Sequence, residues 1–426
     1  MERFVGIIGI GLVFLTAFLM SNNKKKINLK TVFSGFALQI IFAFFVLKTK
    51  LGIVIFDYIG RFIQKILDFS VTGGNFVFGV LTNCPAKMDA LFGVGSSFIF
   101  ALKLIPTIIF ILVLVNILYY FGIMQRVVAF FALVMYKIMD VSGAEALSNV
   151  ASAFVGQVEA QILIKPYLKG MTMSELLASM SGSMACIAGG VMAIYISMGI
   201  PASYLLAASI MAAPGALVIS KIVFPETEEP ETKNEVKLEV VRTNVNLIDA
   251  IAQGASEGMK VSINVIAMLI GLIALIALID WMLGGIGIFL AQKLHLSLSF
   301  IHIDLMHLSL KEILGAVFSV FALALGVPLH DATAVGSLMG TKMVLNEFIA
   351  YTDLTAVKAA LDPKSIMIAS FALCGFANLG SIAIQIGGIS ELAPTRRADL
   401  AKLGFKALIC GTLASYLSAA IAGILM

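Results

Sequence analysis

The chain has 426 residues, 60% of them apolar and only 13% charged, with 29 basic and 25 acidic side chains and a mean hydropathy of +1.02. Soluble domains run at about 45–50% apolar and about 25% charged. That surplus excludes a soluble enzyme and a disordered chain, and the net charge of +4 is too balanced for a nucleic-acid partner.

The first apolar run, 4–20, has Glu2 and Arg3 on its N-terminal flank and Lys24, Lys25 and Lys26 after it. A positive cluster after the run, with no small-residue cleavage site, predicts a retained span with its N-terminus outside. Seven further spans are predicted at 30–47, 96–121, 174–199, 202–222, 259–289, 365–389 and 402–424. Each is long enough for a hydrocarbon core of about 30 Å. Segment 51–69 carries Asp57, Arg61, Gln64, Lys65 and Asp68 at helical spacing and reads as an interfacial amphipathic helix. Stretch 225–246 is a polar linker. The basic residues Lys221, Lys233, Lys237, Arg242, Arg396, Arg397, Lys402 and Lys406 share the Lys24–Lys26 side, so the C-terminus is also expected outside. Lys48, Lys50, Arg61, Lys65 and Lys87 go against that rule. The four cysteines (Cys84, Cys186, Cys374, Cys410) have no metal or redox spacing, and His295, His302, His307 and His330 read as interfacial.

Two apolar stretches do not behave as spans. Residues 143–170 and 326–360 each consist of two halves too short to cross, with a polar break at Gly156–Glu159 and at Asn346–Glu347. Irregular backbone at membrane depth is tolerated only inside protein or beside a water-filled cavity, so both read as re-entrant hairpins. Each follows an amphipathic segment (124–139, 311–325) and precedes two spans. Glu159 and Cys186 are 27 residues apart, as are Glu347 and Cys374. Three spans lie between the hairpins, so the second copy enters from the opposite face, as in alternating-access transporters built from inverted repeats. The fold expected is an all-α polytopic membrane protein with eight transmembrane helices and two opposed hairpins. Its divisions are 1–122 (N-terminal spans and scaffold), 123–222 (first repeat), 223–310 (linker and scaffold span) and 311–426 (second repeat).

Ionisable groups at membrane depth are costly and mark function. Glu159 and Glu347, beside the amides of Gln157 and Asn346, suit a neutral ligand rich in hydroxyls and amides. Capping of hairpin helices is the simpler reading, and the two are compatible. Asn378, Ser381 and Gln385 fall on one helical face of span seven, where small residues favour local unwinding. They fit a ligand site and helix–helix packing equally well. Phe376 reads as core unless a ring stacks on it, and Lys165 and Lys342 read as snorkelling. Gly254–Gly258 matches GxSxG but lies on a helical stretch with no strand before it, so no hydrolase is inferred.

Several blocks now resemble one family. FVGQVEA (154–160) is similar to the GQTEA motif of concentrative nucleoside transporters. So are KPYLKGMTMSELLASMSGSMACIAGG (165–190), MAAPGALVISKIVFPETE (211–228), GTKMVLNEFIAY (340–351), FALCGFANLGSIAI (371–384) and ELAPTRRADLAKLG (391–404). The resemblance runs end to end. It implies a homotrimer in the bacterial cytoplasmic (inner) membrane, with a scaffold and a mobile elevator-type transport domain made of the hairpins and their following spans. It further implies that Gln157, Val158 and Glu159 meet the base of a purine or pyrimidine nucleoside, that Glu347, Asn378 and Ser381 hold the ribose, and that Phe376 and Val191 line the pocket. The coupling ion is Na+ or H+, and no other cofactor is implied.

Two departures from the family pattern bear on this. The family threonine is Val158, which leaves base preference open. The positions matching the sodium ligands are Ser152, Val155, Cys186 and Ile187, where asparagine and serine side chains are replaced by a shorter hydroxyl and a soft sulfur. Sodium and proton coupling both stay open, with Glu159 or Glu347 as proton carrier in the second case. A membrane-embedded enzyme using the two glutamates as acid and base, and a passive nucleoside channel, are the alternatives to a symporter.

Overall fold

Helices satisfy all their backbone groups internally, which is what so apolar a chain demands. The computed structural model describes residues 5–83, 99–233, 244–293 and 305–426, and these form helices and connecting turns without a strand. Cys84, Lys87, His295, His302, the starts of the runs at 4 and 96 and the middle of the polar linker lie outside the described residues.

The N-terminal part comprises α1 (Val5–Leu19), α2 (Leu29–Lys48), α3 (Lys50–Phe78), the short α4 (Val80–Asn83) and α5 (Phe100–Tyr120). Helix α3 contains the predicted amphipathic segment but runs well past it, and Arg61 pairs with Asp57 on its exposed face. The first repeat follows: α6 (Ile123–Met139), the hairpin α7 (Gly143–Ser152) and α8 (Glu159–Ile162), then α9 (Met173–Ala185), α10 (Gly189–Ser197) and α11 (Ala202–Val223). Helix α12 (Leu247–Lys293) leads to the second: α13 (Leu310–Ala324), the hairpin α14 (Ala332–Val344) and α15 (Glu347–Val357), then α16 (Pro363–Leu373), α17 (Leu379–Leu392) and α18 (Arg397–Leu425). The two halves repeat one order of elements, as the sequence suggested.

Two expected spans are corrected. Neither 174–199 nor 365–389 is one continuous helix. The first breaks between Ala185 and Gly189, the second between Leu373 and Leu379. The unwinding expected near 375–382 is therefore present, and its partner in the first repeat follows Cys186. Six of the described helices are long and apolar enough to cross a membrane if α9 and α10 are taken together, and Val5–Leu19, Pro363–Leu373 and Leu379–Leu392 are shorter apolar helices. The count differs from eight because α1 has 15 residues and the seventh span is split.

Sequence chemistry fixes the helix starts. Ser142 with Glu145 and Thr172 with Glu175 form capping boxes at α7 and α9. Asn346 and Asn378 accept from Ile349 N and Ser381 N at the starts of α15 and α17. Lys221 is not a free positive charge of the linker. Its ammonium is buried, 2.7 Å from Glu145 Oε2 and 2.9 Å from Ser174 Oγ, and 3.3 Å from Glu226 in the following loop. The 47 residues of α12 make a rod of about 70 Å, more than twice the hydrocarbon thickness of about 30 Å. It packs along α5, and the GxSxG match belongs to this contact: a side chain at Gly258 would meet Ile109 Cα at 2.5 Å.

Candidate functional site

The two helix breaks meet. Phe376 N–H donates to the Cys186 carbonyl at 3.3 Å, and Ser415 Oγ donates to the Cys374 carbonyl at 2.6 Å. Gly375 adopts φ +120, and a side chain there would lie 2.5 Å from the Ala185 carbonyl oxygen. Only glycine suits both conditions. This contact sets a loop from each repeat side by side at the level of the hairpin tips.

Glu347 is the first residue of α15, where the helix N-terminus favours its negative charge. It is buried, with Tyr195 Oη donating to Oε1 at 3.2 Å and Asn378 Nδ2 donating to Oε2 at 3.2 Å. Asn378 turns its own oxygen to Ser381 N–H at 2.9 Å. The helical face expected for Asn378, Ser381 and Gln385 is thus corrected, because Asn378 sits in extended backbone as the cap of α17. Gln385 donates to the Met180 carbonyl at 3.1 Å and serves packing. The Tyr195 ring lies against Tyr351, centroids 4.3 Å apart, and Tyr351 Oη is held by the Ser370 carbonyl at 2.7 Å. Charged hydrogen bonds of this kind fix a carboxylate's orientation while leaving lone pairs for a ligand.

The first hairpin contributes differently. Glu159 is exposed, and its carboxylate folds back over Gly156. Gln157 has a buried side-chain oxygen with no partner among the described residues. Val158 packs its methyl groups over Gly388 of α17, which places the GQVEA segment against the second repeat. Among the described residues no hydrogen bond joins Gln157 or Glu159 to Glu347. Val191, on α10, and Phe376 are partly buried.

The four residues matching the ion ligands, Ser152, Val155, Cys186 and Ile187, are all buried. Ser152 Oγ donates to the Ser148 carbonyl at 2.7 Å and lies 2.9 Å from Ser183 Oγ. Ser183 accepts from Gln161 Nε2 at 2.8 Å, and Ser179 Oγ donates to Gln161 Oε1 at 2.7 Å. Because the proton of Ser152 is used on Ser148, Ser183 donates to Ser152, giving a one-way chain of hydrogen bonds. Cys186 turns its sulfur toward the Ser209 carbonyl, 4.0 Å away.

Sequence reasoning missed Tyr195 and Gln161, found Ser183 as a partial substitute beside Ser152 at the ion position, and misplaced Lys342. Lys165 is exposed, as a snorkelling residue should be, but Lys342 is fully buried. A tyrosine inside an apolar helix demands a hydroxyl partner, which was the available signal for Tyr195.

Family models match three stretches: "Na+ dependent nucleoside transporter N-terminus" at 8–81, "Nucleoside recognition" at 101–202 and "Na+ dependent nucleoside transporter C-terminus" at 204–423. The nucleoside permease NupC of Helicobacter pylori is 38% identical, covering 98% of this chain and 96% of its own. The chain belongs to the concentrative nucleoside transporter family. Among solved concentrative nucleoside transporters, CNTnw in an inward-facing, substrate-bound state is 39% identical with a TM-score of 0.91, covering 100% of this chain and 98% of the other. A substituted form of CNTnw in an outward-facing state gives the same identity, TM-score and coverage. The chain thus has the fold of an elevator-type transporter embedded in the membrane, known facing both ways.

Proposed function

We propose that this chain imports nucleosides through the cytoplasmic membrane of a bacterium, as a homotrimer with both termini outside, driven by protons. The observation that carries the substrate reading is Glu347, held between Tyr195 and Asn378 with acceptor capacity to spare. Ribose hydroxyls are the ligand groups such an acceptor selects. Gln157, Val158 and Glu159 face the base, Ser381 assists at the ribose, and Phe376 and Val191 complete the walls. Val158 lacks the hydroxyl of the family pattern, so base selection falls on Gln157 and Glu159. Residues 123–222 and 311–426 carry the site, and 1–122 with 223–310 form the scaffold. Large apolar side chains exposed along α3 and α12, Trp281 among them, suit lipid and neighbouring copies. Because relatives are transporters, the two glutamates are assigned to binding and coupling rather than to an embedded enzyme, and a passive channel is not favoured.

Proton coupling is supported by the sodium position. A sodium ion seeks oxygen lone pairs turned toward it. Here Ser152 and Ser183 bond each other, Gln161 directs an N–H at Ser183, and Cys186 offers a sulfur where the family has a hydroxyl. Glu159, exposed and with no side-chain hydrogen bond among the described residues, is the proton carrier. One proton moving through 100 mV supplies about 2.3 kcal/mol, roughly 40-fold accumulation at about 1.4 kcal/mol per decade. Uptake of labelled uridine into proteoliposomes tests both parts. Saturable uptake that survives replacement of sodium by choline and stops with an uncoupler is expected. Loss of uptake in choline overturns proton coupling, and conversion of the uridine or non-saturating flux overturns the transporter reading.

A further inference from the structure

Lys342 is completely buried on the last turn of α14, and among the described residues its ammonium has no hydrogen-bond partner. An isolated buried charge is among the most costly features a protein interior can hold. Five residues on, across the hairpin tip, Glu347 begins α15. The helix ends suit them: a cation closes α14 and an anion opens α15. Both side chains are buried at the same hairpin tip, where the low dielectric lets opposite charges act on each other beyond contact distance. The other groups on Glu347, Tyr195 and Asn378, are neutral donors and bring no charge.

We propose that Lys342 is a positioning residue for ribose selectivity: its charge keeps the buried Glu347 ionised, so that both carboxylate oxygens act as acceptors for ribose hydroxyls. An ionised carboxyl only accepts, whereas a protonated one commits an oxygen as donor. Lys342 touches no ligand itself and acts through Glu347. The inference rests on the reading of Glu347 as the ribose acceptor.

The test is exchange of labelled uridine in proteoliposomes without an ion gradient, competed by unlabelled uridine or 2′,3′-dideoxyuridine. Omitting the gradient removes coupling from the readout. The Lys342→Met protein should lose at least about tenfold of the wild-type preference for uridine over the dideoxy analogue, and Lys342→Arg should keep it. A general packing lesion would weaken both competitors equally. An unchanged ratio in Lys342→Met, equal weakening of both competitors, or loss of the ratio in Lys342→Arg overturns the proposal. If Lys342→Met does not assemble, Lys342→Gln is read by the same ratio. Glu347→Gln, read by calorimetric binding of the two nucleosides to detergent-solubilised protein rather than by transport, separates the two levels. If Glu347→Gln keeps the preference, the ribose assignment itself fails. If it loses the preference while Lys342→Met keeps it, only the role of Lys342 fails.

Discussion

Tyr195 and Glu347 come from different repeats, yet the tyrosine hydroxyl donates to the carboxylate at 3.2 Å. The buried acid of the second hairpin is therefore oriented by a helix of the first repeat. A hydrogen bond to a charged group contributes about 1.5–3 kcal/mol. Tyr195→Phe should weaken uridine binding about 10- to 100-fold with little change in thermal unfolding, measured by isothermal titration on detergent-solubilised protein. Unaltered affinity would remove Tyr195 from the site.

Glu347→Gln keeps the shape and removes the charge. Uptake of uridine should fall to background while the protein still assembles, judged by size-exclusion chromatography beside proteoliposome uptake. Near-normal uptake would contradict the ribose assignment.

Glu159→Gln separates binding from coupling. An amide retains hydrogen-bonding capacity but cannot carry a proton at neutral pH. Accumulation against a gradient should disappear while uridine exchange continues. Equal loss of both would assign Glu159 to binding alone.

Much of this architecture was legible in the sequence because broken hydrophobicity is a strong signal. The polar pairs at Gln157–Glu159 and Asn346–Glu347 marked the hairpin tips, and the matched intervals to Cys186 and Cys374 marked the repeat. Contacts between distant segments were less visible. Nothing near Tyr195 shows that its hydroxyl meets a residue 152 positions away. Asn378 was found but placed on the wrong geometry, because periodicity assumes a helix where the backbone is extended. Lys342 was misread for a similar reason, since hydropathy cannot distinguish a lysine that reaches the interface from one sealed beneath it.

The sodium position offers a gain-of-function test. Ser152→Asn combined with Cys186→Ser adds oxygen ligands and disturbs the chain from Gln161 through Ser183. Uridine uptake should then acquire a dependence on external sodium, read as a difference between sodium and choline buffers. An unchanged response would place ion recognition elsewhere.

Buried charge provides a stability test away from the site. Lys221 lies 2.7 Å from Glu145, with both side chains almost wholly enclosed. Removing one partner strands the other, at a cost of about 3–5 kcal/mol, while removing both costs less. Lys221→Met should therefore lower the thermal midpoint more than Lys221→Met with Glu145→Gln, which keeps an acceptor for the Ser142 N–H. The reverse order would mean that the pair is not the anchor it resembles.

The meeting of Phe376 with Cys186 has a mechanical consequence. One N–H and one carbonyl stitch the middle of the first broken helix to the middle of the second, and Gly375 leaves no slack at the seam. The two breaks are thereby tied at one point into a single unit, so any motion that parts the repeats has first to undo this seam.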